Sequence, residues 1–201
     1  MIHRDIKLSD IFLDEHFVPK LSNLLLSIIL PEGETYVEDY VKGTLGYLAP
    51  EYLSTQIFIE KIEVYAFGVI LLQILTGQRA IIIESGSIAS YASRHVRIHG
   101  INGIVDPKIL EEGSAGILYM QLFQAVFHLA ARCTKKRPTS TKVAKQLQRI
   151  QKIVSSLFSY IICPKHFMGM SSSLESYCRG MLGISEDDFV PNLAQFSEVA
   201  T

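Results

Sequence analysis

The first ten residues place a carboxylate at Asp5, an ammonium at Lys7 and a second carboxylate at Asp10, all in the run HRDIKLSD that begins at His3. A carboxylate can orient a hydroxyl for attack, an ammonium can steady an anionic group, and a further carboxylate can offer oxygen to a hard cation. These are the best candidates for chemistry in the chain. Cys163 and His166 have no second pair at a structural-zinc spacing, so no metal site is expected there.

Such groups act only if the chain holds them still. Residues 11 to 22, IFLDEHFVPKLS, carry apolar residues around the turn DEH and predict a small hairpin just behind the charged run. Residues 31 to 47 are polar, contain Pro31, Gly33, Gly43 and Gly46, and predict a loop. From Val64 the chain is apolar on all sides until Gly77, which predicts a buried helix with a glycine C-cap. Helical patterns follow at 87 to 99, 117 to 132 and 139 to 154, with a loop containing Asp106 and Pro107 between the first two.

Four landmarks in order carry a family resemblance. HRDIKLSD resembles a protein-kinase catalytic loop, GTLGYLAPEYL at 43 to 53 the substrate-side loop and APE motif, VYAFGVILLQILTG the buried central helix, and RPT at Arg137 the element that pairs with the APE glutamate. The wording resembles plant receptor-like kinases. LPEGETYVEDYVKGTLGYLAPE resembles, more narrowly, the wall-associated-kinase-like cytoplasmic group that includes pseudokinases partnering plant immune receptors. The resemblance implies a mainly α fold, the kinase large helical lobe with a short β-hairpin near the N-terminus, over residues 1–154. Residues 155–201 are expected to be a divergent tail, weakly helical near 174 to 183. Only Met1 and Ile2 precede the catalytic loop, so the small β lobe, with its Gly-rich loop and phosphate-gripping lysine, is expected to be missing.

The same resemblance assigns roles. Asp5 stands at the catalytic base, Lys7 and Thr44 beside it, Asp10 at the first magnesium position where asparagine is expected, and Asn23 at the second, where NLL replaces Asp-Phe-Gly. One unit charge near a cation is worth on the order of 4 kcal/mol at a moderate dielectric, about a thousandfold in rate. Leu25 in place of glycine also removes backbone freedom. His3 and Arg4 are structural positions, and Arg4 implies an activation-segment phosphate with Ser27, Thr35, Tyr36 and Thr44 as candidate acceptors. Glu51 and Arg137 are expected to form a buried pair. Glu63 replaces the aspartate that anchors the catalytic loop, and its extra methylene is expected to weaken that anchor.

Composition narrows the classes. The chain has 201 residues, 48% hydrophobic, with a net charge of -1, so no overall field recruits nucleic acid or anionic lipid. Three cysteines, Cys133, Cys163 and Cys178, lack framework spacing and suit a reducing compartment. No apolar run approaches a bilayer span, and Met1 is not followed by glycine, so N-myristoylation is not expected. The expected function is a degenerate, non-catalytic kinase-like scaffold in plant receptor or immune signalling. It would be cytoplasmic, or peripheral to the plasma membrane through receptor-like kinase or immune-receptor partners, with no cofactor of its own. The alternatives are a serine/threonine kinase using ATP and magnesium whose small lobe lies outside this chain, or a truncated product without a selected role.

Overall fold

The chain turns once in a 3-10 helix at Leu8–Asp10 and enters β1 (Ile11–Leu13), which pairs antiparallel with β2 (Pro19–Leu21), Ile11 opposite Leu21. This computed structural model describes residues 1–83, 86–112 and 117–162. Asp14 builds the hairpin turn: its Oδ1 accepts the N–H groups of His16 and Val18, each at 2.9 Å, the local bonding that favours aspartate in turns. Asn23 is left-handed (φ 63°), a conformation asparagine tolerates, and leads into a second 3-10 turn at Leu24–Leu26. Leu25 does not have a positive φ, so the glycine's freedom is not needed at that position.

β3 (Tyr36–Glu38) lies inside the expected loop and pairs with β4 (Ile57–Ile59), Val37 opposite Phe58. Three residues are too few to show a period, and their partner lies beyond α1 (Pro50–Thr55), so local pattern cannot reveal the pairing. α2 (Glu60–Thr76) ends on left-handed Gly77, whose N–H bonds to Gln73 O at 2.9 Å. α2 is largely buried, although Ile74 is exposed. After the short ladder β5 (Ile81–Ile82) with β6 (Gly86–Ser87) comes α3 (Ile88–His99), capped by Ser87, whose side chain accepts from Ser90 N.

The expected loop around Asp106 is corrected to a short helix, α4 (Pro107–Glu112). Asp106 Oδ1 accepts from Lys108 N at 3.0 Å and its carbonyl from Ile109 N, while Pro107 supplies a pre-set φ at the first helical position. α5 (Ile117–Lys135) and α6 (Ser140–Ile162) follow. α6 runs past residue 154, where the resemblance stops; the region 174 to 183 and Cys163, His166 and Cys178 lie outside the described residues.

The described residues are therefore mainly helical, with three two-stranded antiparallel sheets. α2 is the hub, with one core on each side. Val69, Leu72 and Leu75 join Tyr52, Phe58, Ile88, Val96, Phe123 and Phe127, while Val64 joins Ala125, Leu129, Cys133, Val143 and Ile150. Full burial of such a side chain stabilises by about 1.5–3 kcal/mol, which is why an apolar helix without a polar face folds inside. Gly68 permits the contact with α5, because a Cβ there would lie 2.7 Å from Cys133 Cβ and 3.0 Å from Ala130 O.

Candidate functional site

The 3-10 turn at Leu8–Asp10 folds the charged run back on itself, so three groups far apart along an extended chain meet. Lys7 Nζ lies 2.7 Å from Asp5 Oδ2 and 2.8 Å from Asp10 Oδ2. Asn23, arriving after β2, donates its Nδ2 to the same Asp10 Oδ2 at 3.0 Å. The four predicted residues are thus one cluster. Asp10 and then Asp5 raise the Lys7 ammonium above its ordinary value. Burial pushes the Asp10 carboxyl up, but the bonds from Lys7 and Asn23 outweigh it and leave it lowered from its ordinary value. Asp5 Oδ1 is buried and has no hydrogen-bond partner among the described residues.

A magnesium ion needs converging oxygens. Here Lys7 and Asn23 both present N–H donors to Asp10 Oδ2, so in this arrangement that oxygen is turned to donors rather than to a cation. Among the described residues no group of three histidines, cysteines or acids could hold a metal ion.

His3 and Arg4 are anchored from α2. Glu63 Oε1 accepts the backbone N–H of both residues, that of Arg4 at 2.8 Å. The expected weakening by the extra methylene is therefore corrected. Arg4 is left-handed (φ 73°), a geometry that turns successive N–H groups toward one anion, and the longer glutamate arm reaches both. His3 Nε2–H donates to Ser22 O at 2.9 Å, which leaves Nδ1 as the acceptor for a long contact from Asp5 N at 3.4 Å. Gly43 packs on the same loop: a Cβ there would lie 3.1 Å from Arg4 O, and its φ of 125° is one few side chains adopt.

Thr44 is not brought onto the cluster. Its carbonyl accepts from Tyr47 N at 3.1 Å, and among the described residues its hydroxyl makes no hydrogen bond to Asp5 or Lys7. Lys7 is already satisfied by two carboxylates, and Thr44 is spent on a turn.

Glu51 and Arg137 do meet, Arg137 Nε 2.6 Å from Glu51 Oε1, as a half-buried rather than fully buried pair: Nε itself is buried, but the side chains are 23% and 36% exposed, Arg137 first. The correction follows from position. Arg137 lies in the loop after α5, and only its inner face is covered, with the guanidinium 5.4 Å from the Tyr65 ring centre.

Asp39, Lys42 and Tyr52, not singled out by sequence, complete the site around Arg4. Arg4, 5% exposed, directs Nη2 to Asp39 Oδ2 at 3.1 Å, and Lys42 Nζ reaches the same oxygen at 2.7 Å. Lys42, then Arg4, holds the Asp39 carboxyl down at about 2. Buried Tyr52 ties down the same segment, its phenol oxygen accepting from Lys42 N at 3.1 Å and donating to Tyr40 O at 3.3 Å. The acids of GETYVEDY, Asp39 among them, are the only local signal, and nothing local marks Lys42 or Tyr52.

Comparison with known proteins gives the family. The protein kinase domain family matches residues 1–150. The chain is 40% identical over 162 residues to Non-functional pseudokinase ZRK2 of Arabidopsis thaliana, covering 75% of this chain and 44% of that relative. It is 38% identical over 160 residues to Serine/threonine-protein kinase ZRK1 of the same plant, covering 75% and 45%. To Wall-associated receptor kinase 3, also from Arabidopsis thaliana, it is 34% identical over 159 residues, covering 75% and 21%. The chain thus spans less than half the length of each of these relatives. With the landmarks in order, the catalytic-loop residues gathered and the family matching three quarters of its length, this chain belongs to the protein kinase domain family.

Proposed function

We propose that this chain is a degenerate kinase-like domain that serves as a non-catalytic scaffold in plant receptor signalling. The observation that carries the reading is the Asp10–Asn23 bond with Lys7 on the same oxygen. Phosphoryl transfer depends on positioning and on metal-borne charge, and here one oxygen of Asp10 is taken up by N–H donors from Lys7 and Asn23. Residues 1–154 would form the kinase-derived unit, the large helical lobe, and 155–201 a tail of its own. The partners would be receptor-like kinases or plant immune receptors, recruited to the cytoplasmic face of a membrane. Among the described residues no helix is long and apolar enough to cross one. One relative's name, Non-functional pseudokinase, supports the reading, and another's, Serine/threonine-protein kinase, keeps the rival in view.

The rival is a serine/threonine kinase that uses ATP and magnesium, with the rest of the fold supplied by sequence outside these residues. One observation favours it: among the described residues Asp5 Oδ1 has no hydrogen-bond partner, as suits a base awaiting a hydroxyl. The deciding experiment incubates the purified chain with labelled ATP, magnesium or manganese, and a generic serine/threonine substrate. No transfer is expected, together with saturable binding to a purified receptor-like kinase domain. Labelling that disappears in Asp5→Asn would establish the enzyme instead.

A further inference from the structure

Arg4 is a costly residue to bury. Its guanidinium lies inside, 5.9 Å from the ring centre of Phe58, and its backbone takes a left-handed φ of 73°. A buried cation requires a counter-charge. In this chain that charge comes from the segment the arginine faces.

Asp39 accepts three donors: Arg4 Nη2 at 3.1 Å and Lys42 Nζ at 2.7 Å on Oδ2, and Tyr40 N at 2.7 Å on Oδ1. Two cations and a backbone N–H converging on one anionic group are the donors that would receive a phosphate. The surrounding backbone is held as well. β3 pairs with β4, Asp39 N reaches Gln56 O at 3.4 Å, and the Tyr52 hydroxyl bridges the backbone of Tyr40 and Lys42. Arg4 N is in turn fixed by Glu63, so one line of contacts runs from the segment through the catalytic loop to α2.

We propose that Asp39 is a built-in counter-charge that occupies the anion position on Arg4 and docks residues 36–42 on the catalytic loop without phosphorylation. The candidate acceptors Ser27, Thr35, Tyr36 and Thr44 are then not needed for docking. This holds whether or not the chain transfers phosphate, since it concerns only the order of the segment. An upstream kinase acting on the segment would not switch it on, because the arginine that reads phosphate is already engaged.

The test is hydrogen–deuterium exchange on the full 201-residue chain, shown by intact mass to carry no phosphate. Residues 36–42 should exchange slowly in the wild type and in Asp39→Glu, and about tenfold faster in Asp39→Asn, the loss of a charge-assisted bond. α2 should be unchanged, which separates undocking from unfolding. In an Asp39→Ser chain, phosphorylating the introduced serine should restore slow exchange. Fast exchange in the unmodified wild type, or equal rates in wild type and Asp39→Asn, overturns the proposal. Should Asp39→Asn unfold altogether, identical behaviour of the Asp39→Ser chain with and without its phosphate overturns it as well.

Discussion

Replacing Glu63 tests whether the catalytic loop hangs from α2. Glu63→Ala removes the acceptor of the His3 and Arg4 N–H groups, in residues only 4% and 5% exposed. A hydrogen bond to a charged acceptor contributes about 1.5–3 kcal/mol, and an orphaned buried N–H costs about 1–3. The two bonds share one oxygen on a partly exposed side chain, so their sum is discounted to a loss of about 2–4 kcal/mol. For a chain of this size each kcal/mol moves Tm by about 2–4 °C, which gives a fall of about 5–15 °C. Glu63→Gln keeps an oxygen and loses only the charge, so about 1 kcal/mol is expected. Glu63→Asp, with a shorter arm, should fall between the two. Thermal melts by circular dichroism, with hydrogen exchange at residues 3–5, provide the readout. A Glu63→Ala melt within about 2 °C of the wild type would refute the anchoring.

Arg137→Ala removes an ion pair worth at most about 1 kcal/mol at this exposure and a cation–π contact worth about 0.5–1. A loss of about 1–2 kcal/mol is expected by denaturant titration, and 4 or more would show that the pair is buried in solution. For Asp39, the folded carboxyl lies at about 2, below its ordinary 3.8, so docking is stabilised above that ordinary value and lost as pH falls toward about 2. The Tyr40 amide, bonded to Asp39 Oδ1, should report this by NMR; a midpoint near 6 would implicate another group. Phe17 is 79% exposed and left-handed (φ 59°), so Phe17→Gly relieves strain without losing packing and should raise stability by about 0.5–1 kcal/mol in the same titration. Phe12, Phe17, Leu24 and Leu25 are all exposed around the hairpin and the turn after it, so the purified chain should bind a hydrophobic dye, and Phe17→Ser with Leu25→Ser should reduce the signal. Equal dye binding by the double variant would place the sticky surface elsewhere.

Sequence alone determined the order of landmarks and the elements that declare themselves locally. The hairpin around Asp14, α2 with Gly77 as its cap, and α3, α5 and α6 all follow from periods and turn chemistry within a few residues. The catalytic-loop residues were legible because they lie within one short run and fold back on themselves. Tertiary structure alone decided what these groups do to one another. Whether Asn23 turns a donor or an oxygen to Asp10, whether Glu63 reaches two backbone N–H groups, and whether Arg137 is buried all depend on where separate segments come to rest. The β3–β4 pairing and the Arg4–Asp39 contact close loops across tens of residues. A strand of three residues has no readable period, and a single charge names no partner until the core of α2 has brought the segments together.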